Sequence, residues 1–443
     1  MASGEKEGRA TGAMSGFRDL LRSNRNYRFT WTGQVVSEVG DHYNNIAVFA
    51  LALANTGSGL VVAGILISRA LPMILAGPIA GVLLDRMDRR RIMIASDVAR
   101  AAIAVAFIFG IPQGRTWLLY TLSALLMFAS PFFTAGRAAI LPTIATRKEL
   151  HTANSLTQLT QWSTVMVGSF LGGTWVAGFG YEVAFLVNAC SFVFSALCIS
   201  QLRLPSNAGA ERTALTELRV LRPWRDYTQG LKYMRSTPLI LGIGLVAVGW
   251  ATGGGAAQIL FSLFGEIVFQ RGPAGIGVIW GSAGVGLVVG ALVAHRIGPK
   301  LSFGGYKRTI SICYVIHGGT YVLFSQAPTF AAALFFIAVS RASVAVSSVL
   351  NTGQLLRHVS NDYRGRVFAT IESWTWTTMM VSMALAGLAS EYVSPRTIGA
   401  VSGVLSSTTA IWWGWANWSK RLPEPEVSGV APEDIEIHGD PNR

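Results

Sequence analysis

Gly81-Val-Leu-Leu-Asp85-Arg86-Met-Asp88-Arg89-Arg90-Arg91 decides the fold, because this dense basic turn sits between two apolar runs, Leu60 to Leu84 and Ile92 to Ile111. Each run is near the ~20 residues that a spanning helix needs. Asp85 to Arg91 is therefore expected to be a tight interfacial loop. Working outward, apolar runs recur near 28–54, 60–84, 92–111, 117–141, 153–178, 182–202, 238–264, 275–297, 308–325, 327–352, 366–390 and 396–418. No soluble core could bury so many continuous apolar helices, so their outer faces need lipid as solvent. The expected fold class is an all-α polytopic membrane protein with twelve transmembrane helices.

Composition agrees with that reading. Of 443 residues 51% are apolar and only 13% charged, whereas charged residues make up about a quarter of a soluble chain. A net charge of +13 could point to nucleic acid, but its distribution follows topology. Arg18, Arg22, Arg25 and Arg28 lie at or before the start of the first run, and Arg86, Arg89, Arg90 and Arg91 follow the second. Arg147 and Lys148 follow the fourth, and Arg212, Arg219, Arg222, Arg225, Lys232 and Arg235 crowd the middle loop. Arg296, Lys300, Lys307 and Arg308 follow the eighth, with Arg357, Arg364 and Arg366 after the tenth; the opposite loops carry only Arg115, Arg271 and Arg396. By the positive-inside rule both termini and the middle loop are expected to be cytoplasmic. The basic surface is then explained by topology, and no nucleic-acid partner is expected.

The chain repeats itself. His295-Arg296-Ile-Gly298-Pro-Lys300, after the eighth run, lines up with Asp85-Arg86-Met-Asp88-Arg89-Arg90 and echoes its basic spacing 210 residues further on. Duplication of a six-span unit accounts for the echo, giving two six-helix bundles with a substrate path near the midplane. The expected divisions are a cytoplasmic N-terminal segment 1–27, an N-terminal bundle 28–202, a cytoplasmic linker with an amphipathic helix 203–237, a C-terminal bundle 238–418 and a disordered acidic cytoplasmic tail 419–443. In the linker, Trp224, Tyr227, Leu231 and Met234 share one helical face, which suits a strap on the membrane surface. Cys190, Cys198 and Cys313 lie inside apolar runs without paired spacing, so neither a disulfide framework nor a metal site is implied. No phosphate-binding loop or nucleophile elbow appears, no cofactor is expected and no enzymatic activity is indicated.

Charges inside spans cost at least ~2.5 kcal/mol each at the helix centre, which makes each a functional candidate. Glu38 and Asp41 lie three apart on one face of the first span, some 15–20 Å from its start at 1.5 Å per residue. Two carboxylates that close in a low-dielectric cavity cannot easily both stay ionised. A proton could then bind and leave, as coupling to a proton gradient requires; structural pairing with a neighbouring Arg is the other reading. His317 in the ninth span titrates in a useful range and is a third proton candidate, or a packing residue. Arg69 in the second span and Arg341 in the tenth fall in the middle third of the bilayer, where either could hold an anion or clamp a carboxylate. Gln158, Gln161, Asn188, Trp250 and Gln258 complete a mixed lining suited to bulky, partly apolar cargo. Asp97, Arg100, Arg137 and Glu372 are candidate gating partners, with Asp97, Arg100 and Glu372 near the cytoplasmic face.

The spacing Gly81-x-x-x-Asp85-Arg86-x-x-Arg89-Arg90 resembles the loop between helices 2 and 3 of the major facilitator superfamily, with Asp88 where that family usually has Gly. The resemblance covers residues 17–420 and implies that the loop is a gate: its acid, here Asp85, would face the start of the eleventh span, with Arg86 and Arg90 adding ion pairs across the seam. The other reading is a loop that only supplies positive-inside charge. Gly168-Ser169-Phe-Leu-Gly172-Gly173 is similar to the Gly-rich element of the family's antiporters, with Ser169 where Pro is usual. Arg137 before Ala-Ala-Ile-Leu-Pro142, and Arg147-Lys-Glu-Leu before Ala153-Asn154-Ser155, resemble the drug and siderophore exporter branch, as does Arg364-Gly365-Arg366. Gly40-Asp41 matches a recurrent Gly-Asp of that branch, which favours Asp41 over Glu38 as the proton site. The expectation is a monomeric secondary transporter of the bacterial inner membrane that exports amphipathic small molecules by proton-coupled alternating access. A metabolite importer or facilitator, and a non-transporting sensor on the same fold, remain open at this level.

Overall fold

The computed structural model describes residues 16–112, 114–203 and 223–425, so the central linker and most of the acidic tail lie outside the described residues. After a short helix over residues 16–23 come α1 (Arg25–Thr56), α2 (Gly59–Arg86), α3 (Arg89–Ala106), α4 (Thr116–Ile144), α5 (Arg147–Phe179) and α6 (Tyr181–Ser200). Then follow α7 (Pro223–Ser236), α8 (Pro238–Leu263), α9 (Gly272–Ile297), α10 (Phe303–Gln326), α11 (Phe330–His358), α12 (Asn361–Ala389) and α13 (Pro395–Trp418). A single turn of wider helix, Phe264–Val268, extends α8. Apart from α7, each of these helices matches one of the twelve apolar runs. The fold is the all-α, twelve-span, two-bundle architecture expected.

Capping side chains set the helix starts, and they explain where the ends differ from the apolar runs. Asn24 accepts from the Tyr27 N–H, Ser58 from Val61, Ser302 from Gly305 and Thr329 from Ala332. A capping box pairs Thr146 with Glu149, satisfying two backbone donors that a helix start otherwise leaves open. It begins α5 at Arg147, six residues before its apolar run. The expected loop Asp85–Arg91 is far shorter than its charge suggested: α2 runs through Arg86, α3 resumes at Arg89, and only Met87 and Asp88 lie between. Asp88 is the cap of α3, accepting from the Arg90 N–H at 2.9 Å.

Polarity is arranged for lipid. Leu71, Leu197, Phe335, Leu385 and Ile411 are each at least 60% exposed, while Asn44, Asp97, Ser123, Asn188 and Ser340 are fully buried. Seven helices are apolar enough along their length to be recognised as spans by composition alone. Buried polar residues occur on both these and the other long helices: Asn44 on α1, Asp97 on α3, Asn188 on α6 and Ser340 on α11.

The chain groups into two compact units, one built on α1 to α6 together with residues 259–285 and 386–395, the other on the remainder from α7 onward. In the first unit α2 packs on α4, α1 on α5 and α6, and α3 on α4 and α6. The Gly-rich element of α5 supplies close approach. A Cβ on Gly172 would lie 3.0 Å from the Tyr43 Cα of α1, and one on Gly173 would lie 2.7 Å from the Gly277 Cα of α9. Ser58, at the α1–α2 turn, donates to Glu391 at 2.6 Å. In the second unit α10 packs on α11. The amphipathic α7 uses its apolar face on protein rather than solely on a membrane surface: Met234 is fully buried and Trp374 of α12 donates to the Tyr227 hydroxyl at 2.9 Å.

Candidate functional site

Among the described residues, each unit holds a buried polar cluster that contains candidates named from the sequence. In the first, α1 places Glu38 and Asp41 one turn apart, as the sequence requires. The Glu38 carboxylate is tied down, accepting from Gln34 on its own helix at 2.7 Å and from Thr164 of α5 at 2.9 Å. Asp41 lies within electrostatic reach of Arg100, Glu38, Arg69 and Asp97, and Arg137 lies within reach of Glu38. Arg69 of α2 donates to Asn45 at 2.7 Å and to Ser123 at 3.4 Å, with its guanidinium 5.3 Å from the Phe49 ring centre. On α3 Arg100 and Asp97 form a buried ion pair. The Arg100 guanidinium also lies 4.8 Å from the ring centre of Phe133 and 4.3 Å from that of Phe192. Three carboxylates and three guanidiniums therefore share one interior region, with Arg100, Glu38, Arg69 and Asp97 all within electrostatic reach of Asp41. His42, next to it, occupies the space that Gly168 leaves: a Cβ there would lie 2.9 Å from the imidazole side chain.

Around the basic turn, Asp85 and Arg86 are exposed. Arg89 donates to the Leu84 and Ala139 carbonyls and Arg90 to that of Ser200, tying the turn to α4 and α6. A Cβ on Gly81 would meet nothing within 4 Å. Glu372 and Gln161 are exposed, and the side chain of Gln158 lies outside the described residues. Asn188 is fully buried beside α1, where a Cβ on Gly40 would lie 2.8 Å from its amide oxygen. Gln258 is half-buried on α8.

In the second unit the structure brings together two residues that lie far apart in sequence. His317 of α10 and Arg341 of α11 line one small cavity with Tyr321, Ser406 and the Gly253-Gly254 stretch of α8. The His317 ring is held by its Nδ1 contact with the Ser340 hydroxyl at 2.7 Å, while that hydroxyl donates to the His317 carbonyl at 3.2 Å. Tyr314 and Tyr321 flank the imidazole at 6.3 and 6.1 Å between ring centres. Trp250 lies beside Gly254, whose Cβ would be 3.3 Å from the indole. Tyr321, Ser406, Ser123 and Thr164 escaped sequence reasoning, which singled out charged, amide and indole side chains in the spans and passed over hydroxyls. Only Thr164, in a span already marked by polar neighbours, had any signal.

The chain as a whole has counterparts among known proteins. The profile of the Major Facilitator Superfamily matches residues 31–371. A protein of Bacillus subtilis (strain 168) named as the MFS-type transporter YfiS is 27% identical over 88% of this chain and 92% of its own length. Macrolide efflux protein A of Streptococcus pyogenes is 22% identical, over 88% of this chain and 96% of its own. Among solved structures, a bacterial homologue of the human lysosomal transporter Spinster superposes with a TM-score of 0.66 at 13% identity, covering 89% of this chain and 97% of that one. Its likeness is one of fold. The chain is a multi-pass membrane transport protein rather than an enzyme, and it belongs to the Major Facilitator Superfamily.

Proposed function

We propose that this protein exports amphipathic small molecules from the cytoplasm by proton-coupled alternating access. One observation carries the coupling: Asp41 lies one turn from Glu38 and within reach of Asp97, Arg69 and Arg100. Adding or removing a proton at Asp41 changes the charge balance of a desolvated network spanning α1, α2 and α3, and so biases how those helices pack. Glu38, fixed by Gln34 and Thr164, acts as the constant neighbour that makes Asp41 responsive. His317, committed to Ser340, is the reserve proton candidate.

The direction of transport is supported by the relative named as a macrolide efflux protein and by the Gly-rich packing of α5 on α1 and α9. In this reading Arg69, Arg341, Asn188, Trp250, Gln161, Gln158 and Gln258 belong to the substrate path. The turn at Gly81, Asp85, Arg86, Asp88, Arg89 and Arg90 gates it, with Asp97, Arg100, Arg137 and Glu372 as partners. The two bundles span 28–202 and 238–418, joined by a cytoplasmic linker over 203–237. Segments 1–27 and 419–443 lie in the cytoplasm, and the protein works as a monomer in a bacterial inner membrane. Accumulation of a panel of fluorescent amphipathic dyes in cells with and without the chain tests the proposal. Lower accumulation that is restored by collapsing the proton gradient is expected; higher accumulation with the chain present would replace export by import.

A further inference from the structure

A cavity of about 400 Å³ opens in the first unit where three helix ends meet: α1 begins at Arg25, α5 begins at Arg147 and α6 ends at Ser200. That volume lies within the ~300–1,000 Å³ of sites that hold an organic molecule. The short helix over residues 16–23 borders it at Ser23. In the topology proposed above these ends all face the cytoplasm, at the depth of the lipid headgroups.

Most of its polar lining is already committed. Asn24 accepts from the Tyr27 N–H at 3.0 Å, which caps the start of α1, and its amide donates to the Ile144 carbonyl at 2.6 Å. One carboxylate oxygen of Glu149 accepts from the Thr146 N–H at 2.8 Å, the Thr146 hydroxyl at 2.9 Å and the Asn24 amide at 3.4 Å. The Ser23 hydroxyl donates to the Asp19 carbonyl at 2.7 Å. The charged donors left over are two guanidiniums. Arg25 and Arg203 line the same cavity, and among the described residues neither has a carboxylate within ion-pair distance. Arg203 is also held in place: the Asn26 amide donates to its carbonyl and accepts from its N–H, both at 3.0 Å. This two-point clamp joins positions 177 residues apart and brings the base of the Arg203 side chain to the start of α1, one residue from Arg25. A charge that only sets topology needs no such clamp.

Forked guanidinium donors match the oxygens of a phosphate, and a basic pocket among cytoplasmic helix ends suits an anionic lipid headgroup. With two guanidiniums against one carboxylate, and that carboxylate engaged in the α5 cap, the lining favours a headgroup of net negative charge over a zwitterionic one. We propose that this cavity binds the phosphodiester headgroup of an anionic phospholipid of the cytoplasmic leaflet, with Arg25 and Arg203 holding the phosphate oxygens and Asn26 positioning Arg203. A lipid held there ties together the short N-terminal helix and the ends of α1, α5 and α6. None of the lining residues belongs to the buried polar clusters, and the site stands whichever way transport runs.

The purified full-length chain in maltoside detergent is titrated with three probes: dioleoylphosphatidylglycerol, an anionic lipid; dioleoylphosphatidylcholine, a zwitterionic lipid with the same chains; and sn-glycerol 3-phosphate, a phosphate ester without chains. Native mass spectrometry counts bound lipid, and a ligand that binds only the folded state raises the melting temperature with its concentration. The anionic lipid should bind about fivefold more tightly than the zwitterionic one, and glycerol phosphate at the same concentration should leave the melting temperature unchanged. Arg25→Gln and Arg203→Gln should each weaken the anionic lipid about fivefold. Arg308→Gln removes an exposed charge at the start of α10 in the second unit and should leave that affinity unchanged. Asn26→Ala keeps every charge and should still weaken the anionic lipid about threefold, because it frees Arg203. Arg203 is exposed, so Arg203→Gln is expected to fold and decides the matter even if Asn26→Ala does not fold. Equal binding of the two lipids, anionic-lipid affinity unchanged in Arg203→Gln or in folded Asn26→Ala, or equal weakening by Arg308→Gln would each overturn the proposal. Stabilisation by glycerol phosphate equal to that by the anionic lipid would overturn it in favour of a soluble phosphate ester.

Discussion

Removing the Arg100 guanidinium should expose the energetic logic of the interior. Asp97 is fully buried and Arg100 is 3% exposed. Their pairing offsets the cost of desolvating both charges. Arg100→Met keeps a similar volume but leaves the Asp97 carboxylate without its partner, which costs ~3–5 kcal/mol for a buried pair broken on one side. Loss of the contacts with Phe133 and Phe192 adds about 0.5–1 kcal/mol apiece. Asp97→Asn retains both ring contacts and an amide that can still accept, so a smaller loss of ~2–3 kcal/mol is expected. The double variant Asp97→Asn, Arg100→Met buries no uncompensated charge and should lose less than Arg100→Met alone. Equilibrium unfolding in mixed micelles with increasing dodecyl sulfate, run on all four proteins, gives the coupling energy. A value near zero, with the two single losses simply adding, would refute the view that this pair is held by mutual compensation.

Other substitutions follow from local geometry. Asp88→Gly should cost only a few tenths of a kcal/mol and Asp88→Ala about 1 kcal/mol, because a glycine cap is nearly as good as a carboxylate one; unfolding in the same micelles separates them. Asp85→Asn, at an exposed side chain, should slow transport while membrane insertion and expression, read by immunoblot of membrane fractions, stay unchanged. Gly173→Leu would drive a side chain into Gly277 and should destabilise by ~1–3 kcal/mol with loss of transport. Gly178→Leu, where a Cβ meets nothing within 4 Å, should be tolerated in both assays.

Much of this architecture was legible because the bilayer imposes a length. An apolar run near twenty residues has few alternatives, and each of the twelve runs corresponds in order to one long helix. Ends were less legible, since caps rather than hydropathy set them. The Thr146-x-x-Glu149 signal for the start of α5 was nonetheless present in the sequence, as was the Asp88 cap that shortens the basic turn to two residues. At the site, Glu38 and Asp41 were readable from spacing on one helix. The company they keep was not: Thr164 approaches Glu38 from 126 residues away, and no local pattern encodes such a contact. The meeting of His317 with Arg341 was likewise invisible, because α10 and α11 bring it about only by their packing register. Trp250 was named from the sequence as part of the lining, whereas Tyr321 looked like ordinary aromatic filling until burial left its hydroxyl without a partner. The amphipathic stripe of α7 was read correctly as a stripe, and periodicity could not say that α12 covers it.

Proton-coupled flux in proteoliposomes tests the central claim most directly. With the chain reconstituted and a pH gradient imposed, wild type should move substrate against its own gradient. Asp41→Asn should abolish that gradient-driven flux while substrate binding survives, since an amide resembles the protonated acid and releases no proton. Glu38→Gln should have a smaller effect, shifting the pH optimum through its neighbour. Gradient-driven flux that keeps wild-type pH dependence in the double variant Asp41→Asn, Glu38→Gln would contradict the account and take α1 out of the coupling mechanism.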